Sequence, residues 1–161
     1  MIDSILEWLT GAPSGAALPP QDALRLALTA LLVEAGYSDD HFDENEREVI
    51  SRLLESRFDL SHADARALLA AGEREARASA ELFHLTRIIN ERLSFEERVG
   101  LVEMLWEVAY ADGVLSEYED SLVRRVGGLI YVSDRDRGMA RQRVLGRLGI
   151  EAEVLEKKRV P

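Results

Sequence analysis

The sequence predicts an all-α fold, a compact bundle of about seven helices with an internal duplication and no sheet. Three observations lead there. Apolar residues recur at the three- and four-residue spacing of a helix face through most of the chain. Ser-x-x-Asp or Ser-x-x-Glu signatures precede successive apolar runs, at Ser61, Ser94, Ser116 and Ser133, where a hydroxyl can cap the first free amides of a helix. Period-two alternation of β-branched residues, the mark of a half-buried strand, is missing.

In chain order, Ile2, Ile5, Leu6 and Leu9, with Trp8 beside them, predict a short amphipathic helix over 1–10. A Trp-bearing apolar helix on a linker could dock on a partner or a membrane surface, but one that short is unstable without packing, so it is expected to fold back on its own domain or to pair between copies. The Gly-, Ala- and Pro-rich stretch 11–20 reads as a linker. The main domain is expected over 21–149. Its first helix carries Leu24, Ala27, Leu28, Leu31, Leu32 and Ala35 and stops near Gly36. Asp43-x-x-Glu46 caps the second, with Val49, Ile50, Leu53 and Leu54 on its face, and Ser61-x-x-Asp64 opens the third. Leu82, Leu85, Ile88, Ile89 and Leu93 mark the fourth. The fifth, after Ser94, spreads apolar residues from Val99 to Ala109 over more than one face, which predicts a buried centre. The sixth follows Ser116 and contains Gly127-Gly128, a pair that costs about 1 kcal/mol per residue in a helix and so suggests a close backbone approach. The seventh runs from Ser133 to Gly149, and 150–161 reads as a charged tail.

The stretch from Glu107 to Glu119 organises the chain. A helical pattern reaches Tyr110, Asp112-Gly113 breaks it, and Ser116-x-x-Glu119 starts the next helix. An earlier stretch lies over it without a gap: Glu34 on Glu107, Tyr37 on Tyr110, Asp39 on Asp112, Phe42 on Leu115, Glu44 on Glu117 and Glu46 on Glu119. After a one-residue gap, Ser61 and Asp64 align with Ser133 and Asp136. Two repeat halves, about 21–78 and 94–149, are therefore expected to share one core.

Clustered carboxylates are the ligands that hard cations select, and Asp112-Gly113 with Ser116 and Glu119 matches the second half of an EF-hand loop. Val108 and Tyr110 stand where the first acidic ligands belong, and the early copy has Asp40 in place of the Gly, so neither is a complete EF-hand. Capping alone accounts for Glu119 and Glu46. It does not account for Glu107 and Glu34, which precede the turns, near helix C-termini where negative charge is unfavourable. On that asymmetry the candidate metal ligands are Glu107, Asp112 and Glu119, with Glu34, Asp39 and Glu46 in the early copy. The cation expected is Ca²⁺, with Mg²⁺ or Mn²⁺ as alternatives. In the competing reading the acids are helix caps only and the domain is a metal-free protein–protein adaptor.

The run Leu105-Trp106-Glu107-x-Ala109-Tyr110-Ala111-Asp112-Gly113-x-Leu115-Ser116-x-x-Glu119 carries a resemblance. With Leu82-Phe83-His84-Leu85-Thr86-Arg87 and Glu96-Glu97-Arg98 before it, it resembles the tellurite-resistance protein B (TerB) family and its TerB-like relatives over roughly 23–148. The resemblance implies a compact helical domain of duplicated origin without established catalysis, acting in stress-response or membrane-associated complexes. It also implies cation binding at Asp112 and Glu119, with Glu107 adjoining, and by the repeat at Asp39, Glu46 and Glu34.

Other function classes are narrowed by composition. Up to Asp120 the chain carries 10 basic and 25 acidic side chains, a formal −15, and from Ser121 onward 10 basic and 5 acidic, +5. The acidic part repels nucleic acid. The basic arginines Arg135, Arg137, Arg141, Arg143 and Arg147 could meet the acidic body of another copy head to tail, so a protein partner or a homo-oligomer is expected. A di-metal enzyme would carry Glu-x-x-His pairs, and His41, His62 and His84 form none, so no enzyme is expected. There is no Cys, the longest apolar run is far short of the roughly 18 residues a membrane span requires, and the first ten residues have acids where a secretory signal has bases. A cytoplasmic protein is expected, with peripheral membrane association still open to it.

Overall fold

Helix α1, Pro20–Gly36, is the centre of the molecule, and every residue from Leu26 to Val33 is buried. In the computed structural model the residues described are 20–36, 44–78, 82–111 and 115–150. The expected helix over 1–10, the linker up to residue 19 and the tail after Ile150 lie outside them. So do Asp39, His41, Asp43 and Asp112.

Six further helices follow: α2 Glu44–Phe58, α3 His62–Ala78, α4 Leu82–Arg92, α5 Phe95–Ala109, α6 Glu117–Leu129 and α7 Asp134–Leu148. Among the described residues there is no strand, and the seven helices begin and end close to where periodicity and capping signatures put them. α1 packs on α2, α3, α4, α5 and α6, and α7 packs on α5 and α6. The breadth of the apolar pattern made α5 the expected centre. It is indeed buried at Leu101, Val102, Leu105, Trp106, Val108 and Ala109, but α1 is enclosed on more sides because five neighbours surround it.

Each expected serine cap is formed. The Ser94 and Ser116 hydroxyls accept the amides of Glu97 and Glu119, whose carboxylates accept the cap amides in return. Ser61 and Ser133 accept the amides of Asp64 and Asp136, both at 3.1 Å. The corners after α2 and α6 also match. Asp59 and Tyr131 adopt left-handed backbone at φ 53° and 60°, and the next residue's amide reaches back five positions, Leu60 to Glu55 and Val132 to Gly127. A left-handed residue with a side chain costs roughly 1–2 kcal/mol, which the capped carbonyls and the burial of Val132 offset. A common origin of the two halves is still an expectation of the sequence, since shared corner geometry arises wherever two helices meet this way.

Gly127-Gly128 does not mark a close helix crossing. A Cβ at Gly127 would make only ordinary contacts, 3.5 Å from Arg137 Cδ and 3.8 Å from the Val132 carbonyl oxygen, and one at Gly128 would meet nothing within 4 Å. The close approach is elsewhere, at Gly72 of α3. A Cβ there would lie 2.4 Å from Thr29 Cγ2 and 3.2 Å from the Thr29 carbonyl carbon on α1. Buried Thr29 sends its hydroxyl back to the Arg25 carbonyl at 2.7 Å, which spares the seam an unpaired polar atom.

Candidate functional site

The second acidic corner is built by the end of α5 and the start of α6. α5 finishes with the Tyr110 amide on the Trp106 carbonyl at 3.0 Å and that of Ala111 on Val108 at 3.1 Å. Leu115 is buried and anchors the chain on the far side of the turn. The Ser116 amide donates to Glu119 Oε1 at 3.2 Å, which aims the Glu119 side chain back toward the turn. Glu119 is only 3% exposed. Its counterpart Glu46, in the first turn of α2, is 6% exposed. Both glutamates are thus buried within the domain rather than set on its surface.

Glu107 behaves differently from its sequence expectation. Its Oε1 lies 2.6 Å from Nη2 of Arg147, and Nη1 of the same guanidinium lies 2.6 Å from Glu103. Arg143 adds a longer contact of 3.4 Å to Glu103. Two carboxylates of α5 are thus neutralised by α7, and they hold the Arg147 guanidinium even more firmly protonated than usual. The unfavourable acid near a helix C-terminus is offset by an arginine forty residues away. In the first half, burial pushes the Glu34 carboxyl above its ordinary pKa, and the positive charge of Arg125 on α6 pulls it only partly back.

Of the six candidate ligands the structure therefore describes four. Glu107 is in an ion pair, Glu119 and Glu46 are buried at the starts of α6 and α2, and Glu34 is half-buried near Arg125. Asp112 and Asp39 lie outside the described residues, and among the described residues no three His, Asp or Glu side chains come together as a metal-holding group. The sequence singled out Arg143 and Arg147 for pairing between copies, whereas the structure pairs them with Glu103 and Glu107 of their own chain. Their signal was present as two matched i, i+4 pairs, acids at 103 and 107 and arginines at 143 and 147.

Arg141 completes this seam. Its guanidinium lies 5.8 Å from the Trp106 ring centre and 5.9 Å from that of Tyr110, and its Nε donates to the Tyr110 hydroxyl oxygen at 2.6 Å. Trp106 Nε1 donates to the Arg137 carbonyl at 3.2 Å. The basic stretch that suggested head-to-tail pairing between copies is thus largely engaged within its own chain, because α7 lies along α5.

The family model of tellurite resistance protein TerB matches residues 25–142, from the first turns of α1 into α7. The chain belongs to the TerB family. Comparison with curated proteins and with solved structures gives no match. The matched span includes both acidic corners and ends before Arg143 and Arg147. It therefore supports a TerB-like helical module around the corners, with Arg141 inside the span and the two arginines that pair with Glu103 and Glu107 beyond it. No described helix is long and apolar enough to cross a membrane.

Proposed function

We propose that this TerB-family domain is a non-catalytic module that binds a divalent cation, Ca²⁺ before Mg²⁺ or Mn²⁺, at its acidic corners. On this reading it works in a stress-response or membrane-associated protein complex. The observation that carries the proposal is the pair of buried glutamates, Glu119 and Glu46, one at each corner. Each glutamate stands in the first turn of the helix that follows its corner, and carboxylate oxygens so placed are donors of the kind that suits a hard cation. Glu107 is committed to Arg147, so the ligand set in the second corner centres on Glu119 with Asp112, and in the first on Glu46 with Asp39, Glu34 standing close to its helix end. An ion bridging the turn to the next helix would set the angle between α5 and α6, and through it the surface offered to a partner.

A second reading has its own support. The capping box at Ser116 and the Arg147 pair already give Glu119 and Glu107 partners, which favours a metal-free adaptor whose acids serve as caps. Calorimetric titration of the protein with Ca²⁺, Mg²⁺, Mn²⁺ and Zn²⁺ separates the two. Binding should give heat and a higher melting temperature, by about 2.7 kcal/mol of stabilisation at a hundredfold excess over Kd. Both effects should vanish in Asp112→Asn, Glu119→Gln. No heat and an unmoved melting temperature in the parent protein would leave the adaptor.

A further inference from the structure

Beside the second corner, α2, the end of α5 and the end of α7 leave a groove of about 430 Å³. That is far above the roughly 30 Å³ share of one water and within the size range of binding clefts. Its walls are mainly apolar: Val49 and Leu53 of α2, Ala111 after α5, and Leu148 and Ile150 at the end of α7. Two charged side chains flank them. Glu107 is already met by Arg147, whereas Arg52 makes a long contact, 3.5 Å, to the Glu48 carbonyl and meets no carboxylate among the described residues.

We infer that this groove is the docking site of the chain's own N-terminal stretch, residues 2–9. Ile2, Ile5, Leu6 and Leu9 supply an apolar stripe at helical spacing, and such a stripe is stable only when covered. Asp3 and Glu7, four residues apart on one flank, supply the acids that Arg52 lacks, and residues 1–10 contain no base to oppose it. The tether can run the whole length of α1. Ten residues, 10–19, extend up to about 33 Å, more than the roughly 25 Å length of the 17-residue α1 from which they lead. The stretch after Ile150 also starts at the groove but offers only Val154 and Leu155 among three glutamates and three bases before Val160. The inference stands independently of whether a cation binds.

The absence of cysteine makes the test direct. In the full chain, Ile5→Cys with Leu53→Cys should oxidise to an intrachain disulfide at least about tenfold faster than Ile5→Cys with His84→Cys, because docking raises the local concentration at one place only. Adding Arg52→Glu should slow the first reaction, and Asp3→Arg with Glu7→Arg should restore it. Equal rates at residues 53 and 84 overturn the inference. So does a disulfide that forms only between copies at a rate rising with concentration, which assigns the groove to a second molecule. An Ile5→Cys with Leu53→Cys closure that speeds up severalfold when residues 151–161 are removed shows that the C-terminal stretch holds the groove instead.

Discussion

Two helix seams in this domain stand at matching places in the sequence register and are closed by opposite means. Between α1 and α3 the closure is carbon on carbon, with Thr29 seated against Gly72 where no methyl fits. Between α5 and α7 the aligned positions are Val102 and Val144, both buried, and charge reinforces the edge of the seam. Arg147 and Arg143 reach Glu103 and Glu107, and Arg141 lies over Trp106 and Tyr110. The first arrangement concentrates its tolerance at one residue. The second distributes it over partly exposed groups, each worth little, and makes the seam responsive to salt.

The largest effect should come from filling the carbon seam. Gly72→Ala gains about 1 kcal/mol of helix propensity, but a Cβ 2.4 Å from Thr29 Cγ2 must move that side chain or the backbone behind it. Overpacking should win and leave the domain about 2 kcal/mol less stable in denaturant unfolding. Gly146→Ala on α7, where a Cβ meets nothing within 4 Å, should instead stabilise by up to about 1 kcal/mol. If both substitutions stabilise, the contrast between the seams is wrong.

A smaller effect is expected from the charged seam. Arg147→Ala should cost about 1 kcal/mol at low salt, and most of the loss should disappear near 1 M salt because Arg147 is half exposed. A double-mutant cycle with Glu107→Ala should return a coupling of roughly 0.5 kcal/mol, and a salt-independent coupling would mean that packing rather than charge holds α7 on α5.

The smallest effect concerns Glu34. Burial raises its pKa in the folded chain, so the folded state holds that proton more tightly than the unfolded state. Stability is then lowered as pH rises from the ordinary carboxyl value through the folded one, and the deficit is complete above it. Discounted for solvent screening, Glu34→Gln should stabilise by a few tenths of a kcal/mol at pH 7 in the absence of divalent ions, and by nothing below about pH 4. A gain that persists in acid would point to a cause other than the carboxylate charge.

Local chemistry was the legible part. Helix faces, the four serine caps and the stop at Gly149 follow from residues within one or two turns of each other, so α1 to α7 could be placed from sequence. Glycine shows the limit of that reading. Gly127-Gly128 looked like a crossing because two glycines in a helix invite an explanation, yet single Gly72 makes the contact, since closeness depends on what the opposing helix presents. Glu107 shows it again. Its position near a helix C-terminus marked it correctly as a charge requiring compensation, but the arginine that compensates it sits on α7.

By itself the sequence determined the helices, their ends and their serine caps. Those are set by backbone propensity, capping and periodicity, which act over a few residues. Only the tertiary structure decided that α1 is the enclosed helix, that Glu119 and Glu46 are buried, that Glu107 is committed to Arg147, and that a groove opens beside Ala111. Each depends on which faces meet across tens of residues, and the same local pattern is compatible with several such meetings until packing selects one.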